Sequence, residues 1–483
     1  MNINELFSGI AYDADLPDAD IKRISCEPRI SGRGILNVIY KRIGKARESH
    51  VMPNDAITVC EYDEDVSGGV VIRVNNARAA LSMLCSNLSR IDYDKLTFIG
   101  ITGTNGKTTT ATLCEYILRY AGKSVGFIGT GRVEYMGVSL VDSEYSMTTP
   151  DPSILYPSIK KMQNMGCTHI VMEVSSQAIA LSKIAPIRFD VGAFLNLSPE
   201  HLDLHGGMDD YYGAKLSLFK NARLGVFNRD DIYSTRAEAE CGLKATLTVG
   251  VINDADIGLC ELYDKKDEGY EYICRSGDLY FKVRQHLPGA FNVYNVLFAI
   301  VITEAVGVKN ADIRRAVGEF SSVPGRCEII KDEIRVIIDY AHTPRAMTEL
   351  LSFAKGSARG KRVITLFGCG GERARDKRPL MARESEKYSD ILFITEDNSR
   401  HEDPDIILAD IISGLRDNKD IKIIPDRENA IKEAILTADV GDTVLIVGKG
   451  NETYNDKGGK KRDFDERAII RDALLLRKND GRA

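Results

Sequence analysis

Residues 100–110 read GITGTNGKTTT, and the fold follows from this glycine-containing loop and its two flanks. The run LTFIGI before it is short and apolar, as in a buried strand. The segment TTTATLCEYILRYAG after it places four large side chains on one helical face, namely Leu113, Tyr116, Ile117 and Tyr120. Gly122 stands where that helix would end, and the apolar run SVGFIG follows it. This order predicts a strand–helix–strand unit and therefore a parallel sheet.

The loop has the composition of a phosphate-binding loop. Gly103 and Gly106 would let backbone N–H groups approach a polyphosphate. Lys107 would reach the outer phosphates, and the hydroxyl of Thr108 would hold Mg²⁺. Ile101 replaces the glycine usually found five positions before Gly106, so the pattern is G-x-x-G-K-T. The predicted phosphate-binding residues are Gly103, Thr104, Asn105, Gly106, Lys107, Thr108 and Thr109.

The loop could also be a turn that binds no ligand, or the phosphate-binding loop of a GTPase. A glycine-rich turn that binds nothing is disfavoured, because the loop lies between a predicted strand and a predicted helix. No N-K-x-D base-recognition motif occurs in the sequence, so the predicted nucleotide is ATP and not GTP.

Three further residues are candidates for the chemistry. A phosphate-binding loop needs an acidic residue on a neighbouring strand to hold Mg²⁺, and Glu173 ends the apolar run HIVME. The alternative is a glutamate on the surface of the sheet. His201 follows a predicted strand end, and Lys215 lies fourteen residues further on. Taken alone, both fit ordinary surface positions, although a desolvated lysine can lose its proton and react.

The pattern along the chain predicts an α/β protein of three domains. Residues 1–95 read as a small mixed α/β domain, with a strand near 69–74 and a helix from Ala77. Residues 96–328 form the predicted P-loop ATPase domain, with a parallel sheet continued by HIVMEV and DVGAFLNL. Residues 329–483 contain five apolar runs separated by segments of helix length, which predicts a doubly wound, Rossmann-like domain.

Composition excludes several classes of protein. The 483 residues carry 64 Lys plus Arg and 70 Asp plus Glu, a net charge of −6, so neither nucleic acid nor an anionic membrane is the expected partner. The ten cysteines form no C-x-x-C pair, which argues against a zinc site or a disulfide framework. The N-terminus lacks the layout of a signal peptide, and the longest apolar stretch is too short for a membrane span. A cytoplasmic protein is therefore expected.

Taken together, the motifs resemble those of the Mur ligase family, ATP-dependent enzymes that add amino acids to the peptide of the bacterial cell-wall precursor. They occur in the family's order between about residues 70 and 455. The series is GTNGKT, TTP at 148–150, EVSS, NLSPEHLDLHG followed by the AK of Lys215, GAFNVYN, PGR, DYAHTP, GCGGER with KRP, DN-x-R and GKG-x-E. The chain is most similar to the MurE type.

The resemblance implies a reaction and its partners. The implied enzyme is a monomeric acid–D-amino-acid ligase that adds meso-diaminopimelate to UDP-N-acetylmuramoyl-L-alanyl-D-glutamate through an acyl phosphate. This step belongs to peptidoglycan precursor synthesis, and thereby to cell-wall biogenesis, cell shape and cell division. The implied cofactors are ATP, two Mg²⁺ ions and a CO2-derived carbamate on Lys215. One Mg²⁺ would lie between Thr108 and Glu173, and the other between His201 and carbamylated Lys215.

The resemblance also assigns the substrate-binding residues. The adenine and ribose side maps to Asn292, Asn295, Arg326 and Asp339. Contacts to the UDP-muramoyl dipeptide map to Thr148, Thr149, Ser175 and Lys183. The incoming amino acid maps to Arg373, Asp397, Asn398, Arg400, Gly448 and Glu452. Among these, Arg400 would pair with the distal carboxylate of diaminopimelate, and Glu452 would hold the distal ammonium.

Departures from the family pattern keep alternatives open. Ser399 replaces the usual proline, and Asn451 the usual histidine. The uridine-binding pattern is not clear in SCEPRISGRG or in GKARESH. A ligase for lysine or for a modified carrier, and a nucleotide-binding regulator without ligase activity, remain alternatives. A folate polyglutamate ligase is disfavoured, because about 95 residues precede the P-loop here.

Overall fold

A computed structural model describes residues 1–27, 30, 32–41, 48–142, 145–200, 205–265, 268–416 and 420–479. Three principal sheets follow one another along the chain, of four, eleven and six strands. This architecture is the α/β fold that the sequence predicts; the division at residues 95 and 328 stays a prediction. Of the two segments considered above for uridine binding, residues 28, 29, 31 and 44–47 lie outside the described residues.

The N-terminal sheet is parallel, with the order β1-β2-β4-β6. Its elements are α1 (Ile3–Leu6), β1 (Arg23–Ser25), β2 (Ile35–Val38), β3 (His50–Val51), β4 (Ile57–Glu61), β5 (Val66–Ser67), β6 (Val70–Val74) and α2 (Ala77–Ser89). The Asn76 side chain caps α2 by accepting the N–H of Ala79. Ser82 of α2 donates to the carbonyl of Ser182, which ties this sheet and helix to the next part of the chain.

The central sheet has the order β10-β9-β8-β11-β7-β12-β13-β14-β15-β16-β17. Its strands are β7 (Thr97–Thr102), β8 (Val125–Gly129), β9 (Arg132–Tyr135), β10 (Val138–Ser139), β11 (His169–Glu173), β12 (Phe189–Phe194), β13 (Ala222–Asn228), β14 (Thr246–Gly250), β15 (Ile257–Asp264), β16 (Tyr270–Ser276) and β17 (Leu279–Gln285). Its helices are α3 (Lys107–Tyr120), α4 (Pro152–Asn164), α5 (Ser176–Ala180), α6 (Met208–Leu216), α7 (Ile232–Glu240), α8 (Phe291–Ala305) and α9 (Asn310–Glu319).

The parallel core of this sheet positions the site. Strand β7 lies between β11 and β12 and is parallel to both, in a register that pairs Ile101 with Glu173 and Thr102 with Phe194. The three strand ends therefore meet at one edge, directly at the glycine loop. Antiparallel strands extend the sheet at both sides, β9 and β10 at one and β16 and β17 at the other. The sequence predicted the parallel strands but not these extensions.

The C-terminal sheet has the order β18-β19-β23-β20-β21-β22, with β18 antiparallel and the other strands parallel. Its strands are β18 (Glu328–Lys331), β19 (Arg335–Asp339), β20 (Val363–Phe367), β21 (Ile391–Ile394), β22 (Asp420–Ile423) and β23 (Thr443–Val447), and a separate hairpin is formed by β24 (Tyr454–Lys457) and β25 (Lys460–Asp463). Its helices are α10 (Pro344–Ser357), α11 (Lys377–Tyr388), α12 (Pro404–Ile412), α13 (Arg427–Thr437) and α14 (Glu466–Asn479).

Burial explains why the C-terminal strands read as apolar runs. Val363 and Phe367 of β20 lie in a hydrophobic cluster on one face of the sheet, while Ile364 and Leu366 lie in the cluster on the other. A sheet covered by helices on both faces buries every residue of its inner strands. The five strands predicted from sequence correspond to β19–β23, and β18 is the additional antiparallel edge. No helix among the described residues is long and apolar enough to span a membrane.

Candidate active site

One cavity of about 580 Å³ opens between the carboxyl ends of the central strands and those of the C-terminal sheet. Residues predicted for three different substrates line it together. They are Thr104, Asn105, Gly106, Lys107, Thr108, Thr109, Thr148, Thr149, Glu173, Ser175, Lys183, Asn292, Asn295, Arg326, Asp339, Arg373, Asp397, Asn398, Arg400, Gly448 and Glu452. Two predicted residues, Gly103 and Lys215, do not line the cavity, and His201 lies outside the described residues.

Close packing fixes the glycine loop. Gly106 has a φ of 86°, and a Cβ added there would lie 2.4 Å from the side-chain oxygen of Asn295. Only glycine therefore fits at this position without a shift of the Asn295 side chain, and the positive φ also favours glycine. The N–H of Asn105 donates to the side chain of Asn196 at 2.9 Å, which fastens the loop to the segment after β12. The loop has the close backbone approach that a polyphosphate requires.

The Lys107 ammonium is folded back over its own loop. It donates to the carbonyl oxygens of Gly103 and Thr104, both at 2.9 Å. Burial lowers the pKa of Lys107, although the carboxylates of Glu173 and Glu200 partly offset this effect. Since the contacts are to neutral carbonyls, phosphate oxygens would be stronger acceptors for the same ammonium.

Glu173 ends β11 as a fully buried carboxylate. It accepts the Thr108 hydroxyl at 2.9 Å, and the N–H and hydroxyl of Thr130 at 3.0 and 3.2 Å. A Cβ at Gly129 would lie 2.3 Å from its Oε1, so a glycine is needed beside it. A carboxylate and a hydroxyl oxygen in contact are the hard ligands that suit Mg²⁺, and these residues fit the ion.

Lys215 lies behind the loop, 1% exposed. Its Nζ donates to the carbonyl of Gly103 at 2.9 Å and to the Thr102 hydroxyl at 3.4 Å, and it lies 4.8 Å from the centroid of the Tyr211 ring. Burial, reinforced by repulsion from Lys107, lowers the pKa of Lys215 well below its ordinary value. The side chain is therefore disposed to be a neutral amine, the form that reacts with CO2.

The predicted nucleoside side brings two parts of the chain together. The side chains of Asn295 and Asn292 on α8 are hydrogen-bonded at 2.8 Å. Arg326 donates to the Thr108 hydroxyl at 3.1 Å, and its guanidinium lies 4.2 Å from the centroid of the Tyr340 ring. Asp339, at the end of β19, accepts the N–H groups of two loop residues, and burial raises the pKa of Asp339.

The residues predicted for the muramoyl dipeptide form the wall beside Glu173. The hydroxyl of Thr149 donates to the carbonyl of Glu173 at 3.0 Å. The hydroxyl of Thr148 is 3.1 Å from that of Thr130, and Ser175 caps α5. Lys183 forms an ion pair with Asp151 at 2.7 Å. This wall is polar and carries hydroxyl groups that a glycopeptide could use.

The predicted amino-acid side is organised around Asn398. Its amide nitrogen donates to Glu452 at 2.7 Å, and its oxygen accepts from Lys449 at 2.7 Å and from the N–H of Asp456 at 2.9 Å. These contacts fix the amide orientation and hold the Glu452 carboxylate at the cavity. Burial raises the pKa of Glu452, and the nearby charge of Asp397 adds to that effect.

Two buried cations, Lys449 and Arg427, stabilise this arrangement through ion pairs with carboxylates. Lys449 is fully buried and lies 3.3 Å from Asp397, while Arg427 forms a 2.6 Å ion pair with Glu466. Burial alone would raise the pKa of Asp397, but the charges of Lys449 and Arg427 outweigh it and lower that pKa to about 2. Arg427 also donates to the carbonyl of Val447, at the end of β23. The strand ends are thereby linked beneath the cavity.

Arg400 adopts a left-handed backbone conformation with a φ of 53°. Such a conformation is rare for a residue with a side chain and occurs most often where the neighbouring structure imposes it. Here the N–H of Arg400 donates to the carbonyl of Asp456 at 3.0 Å, and its guanidinium donates to the carbonyl of Gly371. The side chain is held at the cavity on the same side as Glu452.

Several residues that line the cavity were not predicted from the sequence. Glu200, whose side chain is 5% exposed, lies 2.8 Å from His342 and joins the central and C-terminal parts of the site. Lys377 also lines the cavity. Each lies inside a quoted motif: Glu200 directly precedes His201, His342 is in DYAHTP, and Lys377 is in KRP. The motifs were therefore the available signal, but no residue type within them identified these three.

Comparison with known proteins identifies the family of the chain. The model of the Mur ligase middle domain matches residues 101–303, and the model described as Mur ligase, glutamate ligase domain matches residues 325–450. With these matches and the relatives below, the chain belongs to the Mur ligase family.

Relatives extend the similarity to the full chain. A UDP-N-acetylmuramoyl-L-alanyl-D-glutamate–2,6-diaminopimelate ligase of Solibacter usitatus is 38% identical over 98% of both chains. Ligase 1 of that name from Clostridium acetobutylicum is 36% identical over 86% of both chains. A solved structure of a UDP-N-acetylmuramoyl-L-alanyl-D-glutamate–2,6-diaminopimelate ligase superposes with a TM-score of 0.67, at 26% identity and 99% coverage of both chains.

Proposed function

We propose that this protein is an ATP-dependent ligase that joins meso-diaminopimelate to UDP-N-acetylmuramoyl-L-alanyl-D-glutamate in peptidoglycan precursor synthesis. The observation that carries the proposal is the cavity of about 580 Å³, which is lined both by the glycine loop and by Arg400 and Glu452. A ligase of this kind must bring a triphosphate, a carboxylate and an amine to one point. The names of the relatives support the choice of substrates.

The proposed reaction has two steps, a phosphoryl transfer and an amide formation. An oxygen of the glutamate carboxylate attacks the outer phosphorus of ATP, so that an O–P bond forms and the bond to ADP breaks. The amine of the second substrate then attacks the acyl carbon, a C–N bond forms, and phosphate leaves while the nitrogen loses a proton. The first step brings two anions together, and in the second step negative charge develops on the acyl oxygen and on the leaving phosphate. Surrounding cations therefore lower both barriers by electrostatic stabilisation.

The glycine loop is the proposed holder of the triphosphate. Backbone N–H groups of residues 103–109 would surround the phosphates, and Lys107 would exchange its two carbonyl contacts for phosphate oxygens. Arg326, already bonded to Thr108, would add a second cation from the other side. Asn292, Asn295 and Asp339 are the proposed contacts of adenine and ribose.

Thr108 and Glu173 are the proposed ligands of one Mg²⁺, on the strength of their 2.9 Å contact. Bound Mg²⁺ supplies positive charge that offsets the phosphates and orients them for attack. For a second ion we propose His201 and Lys215 as a carbamate. Burial of Lys215 as an amine supports carbamylation, because the adduct would turn a poorly solvated cation site into an anionic oxygen ligand.

The two remaining substrates have proposed contacts on opposite walls. Thr148, Thr149, Ser175 and Lys183 would contact the muramoyl dipeptide. Arg400 would form a bidentate pair with the distal carboxylate of diaminopimelate, and Glu452 would accept the distal ammonium. Arg373, Asp397, Asn398 and Gly448 would complete the amino-acid site. The proposal includes a monomer that acts in the cytoplasm without nucleic-acid or membrane partners, in keeping with the net charge of −6.

The direct test is product formation with all substrates present. Purified protein is incubated with ATP, Mg²⁺, the UDP-muramoyl dipeptide and either meso-diaminopimelate or lysine, and the product is measured by mass spectrometry together with ADP. The expected result is amide product and ADP in equal amounts with meso-diaminopimelate, and little of either when the dipeptide is omitted. Product with lysine but not with diaminopimelate would overturn the choice of amino acid; absence of product with every amine would favour a nucleotide-binding regulator.

A further inference from the structure

The segment 373–378 contains four cationic side chains. Two of them, Arg375 and Arg378, are paired with carboxylates. Arg375 is paired with Asp410 at 2.8 Å. Arg378 is fully buried and pairs with Glu402 at 2.7 Å and with Asp410 at 2.9 Å. These two arginines have their charges balanced, and they hold the loop before α11 against α12. Their role is structural.

Lys377 is placed differently from its neighbour Arg378. It is the first residue of α11, is half-buried and lines the cavity. Among the described residues, its ammonium forms no hydrogen bond and no ion pair. Burial lowers the pKa of Lys377, and the charges of Arg373 and Arg378 act in the same direction. The first turn of a helix also disfavours a cation. A cation kept in such a place without a partner indicates that an anion binds beside it.

The position of that anion follows from Glu200. Glu200 lines the cavity together with Lys107 and Lys377, and its carboxylate lies 2.8 Å from His342 of the C-terminal part of the site. The two lysines therefore face one part of the cavity, one from the glycine loop and the other from the C-terminal sheet. Under the proposed function, this is the part of the cavity where the outer phosphate of ATP passes to the carboxylate of the carrier.

We infer that Lys377 is a further catalytic residue, which contacts the phosphoryl group during its transfer and in the acyl phosphate. This inference rests on the proposed function. When the carboxylate oxygen bonds to phosphorus and the bond to ADP breaks, the ammonium of Lys377 stays protonated and donates to the phosphoryl oxygens. It keeps these contacts as the C–N bond forms and phosphate leaves. Lys107 and Lys377 thus hold the group from opposite sides.

The test compares Lys377→Ala and Lys377→Arg with the wild type in two assays. In ligation, Lys377→Ala should lower kcat about 100-fold, while the KM for the amino acid changes less than about threefold. Lys377→Arg, which keeps the charge, should recover kcat to within about tenfold of the wild type. In direct binding, Lys377→Ala should weaken a non-hydrolysable ATP analogue about tenfold and ADP less than about twofold.

Lys361→Ala is the matched control, since Lys361 is exposed at the amino end of β20 and Lys377 follows its carboxyl end. The control should match the wild type in both assays. A rise in the amino-acid KM with kcat unchanged would overturn the inference and assign Lys377 to the amino-acid carboxylate. Equal weakening of ADP and of the analogue would also overturn it. If the wild type forms no amide, the proposed function fails, while the binding assay still reports on Lys377.

Discussion

The two walls of the cavity are built in different ways. The phosphate-binding part of the nucleotide side uses one continuous stretch, residues 100–110, whose backbone and Lys107 lie at the end of β7. The amino-acid side uses three loops, which follow β20, β21 and β23, together with the β24–β25 hairpin. The glycine loop is held by the packing of Gly106 and by hydrogen bonds to the segment after β12. The amino-acid side is held by buried ion pairs between residues far apart in the sequence, such as Arg427 and Glu466.

The glycine loop can therefore lose its chemistry without losing its structure, whereas the amino-acid side cannot. The ammonium of Lys107 donates hydrogen bonds only to carbonyls of its own loop, so removal of its side chain breaks no ion pair among the described residues. Removal of Arg427 would leave Glu466 buried and unpaired, because each side chain is 1% exposed. Substitutions on the two walls should therefore give opposite combinations of stability and activity.

The largest effect is expected at the nucleotide wall. Lys107→Ala should lower kcat by about 1,000-fold or more, because the phosphates lose their principal protein cation. The free energy of unfolding should change by less than about 1 kcal/mol. Steady-state ADP release and urea denaturation measure the two quantities. A stability loss as large as the activity loss would show that the two walls are not built differently.

At the other wall, Arg427→Met should lower the free energy of unfolding by about 3–5 kcal/mol, since a buried carboxylate is left without its partner. The amino-acid KM should rise, because Asp397 loses part of the charge that holds it. The double variant Arg427→Met with Glu466→Leu serves as the control, and most of the stability should return. Unchanged nucleotide affinity in both variants would show that this ion pair stabilises the amino-acid side alone. A double variant as unstable as the single one would contradict the assigned role of the ion pair.

The parts of the cavity that could be predicted from sequence are those that a short continuous segment encodes. The glycine loop, Glu173 and the strands β19–β23 could be read directly, because short motifs and apolar runs encode them locally. Lys449 and Arg427 could not be recognised, since their function depends on contacts with Asp397 and Glu466 that only the fold creates. The antiparallel strands β16 and β17 were missed for a related reason. As an edge hairpin they have mixed burial and lack the continuous apolar pattern of the inner strands.

Behind the nucleotide wall, Lys215→Ala should lower ligation about 100-fold, with partial recovery on addition of short carboxylic acids. The added acid would occupy the space of the carbamate and provide the missing oxygen ligand. Rates with and without the acid, and the mass of the intact wild-type protein with bicarbonate present, measure this. Lys220→Ala, at an exposed position nearby, is the control. An unimpaired Lys215→Ala variant would refute the carbamate.

The smallest effect is the acid response of the amino-acid wall. The folded-state pKa of Asp397 is about 2, below its ordinary value of 3.8, so its ionised form favours folding. That contribution is fully present above about pH 4 and is lost as the pH falls towards 2; it amounts to about 2 kcal/mol. Urea denaturation of the wild type and of Asp397→Asn should show a pH dependence in this range that is weaker in the variant. Identical pH profiles would contradict the assigned charge balance.

The most direct test of the account is the ratio of kcat/KM for meso-diaminopimelate to that for lysine, measured with the same carrier in the wild type and in Arg400→Ala. In the wild type, kcat/KM is expected to be much larger for diaminopimelate than for lysine. In Arg400→Ala this preference should fall by about 100-fold while the KM for ATP changes little, because the distal carboxylate loses its bidentate partner. Exposed Arg462 provides the control variant Arg462→Ala, which should keep the wild-type ratio. A ratio unaffected by Arg400→Ala, or ATP and amino-acid parameters that fall together, would contradict the claim that Arg400 selects the amino acid.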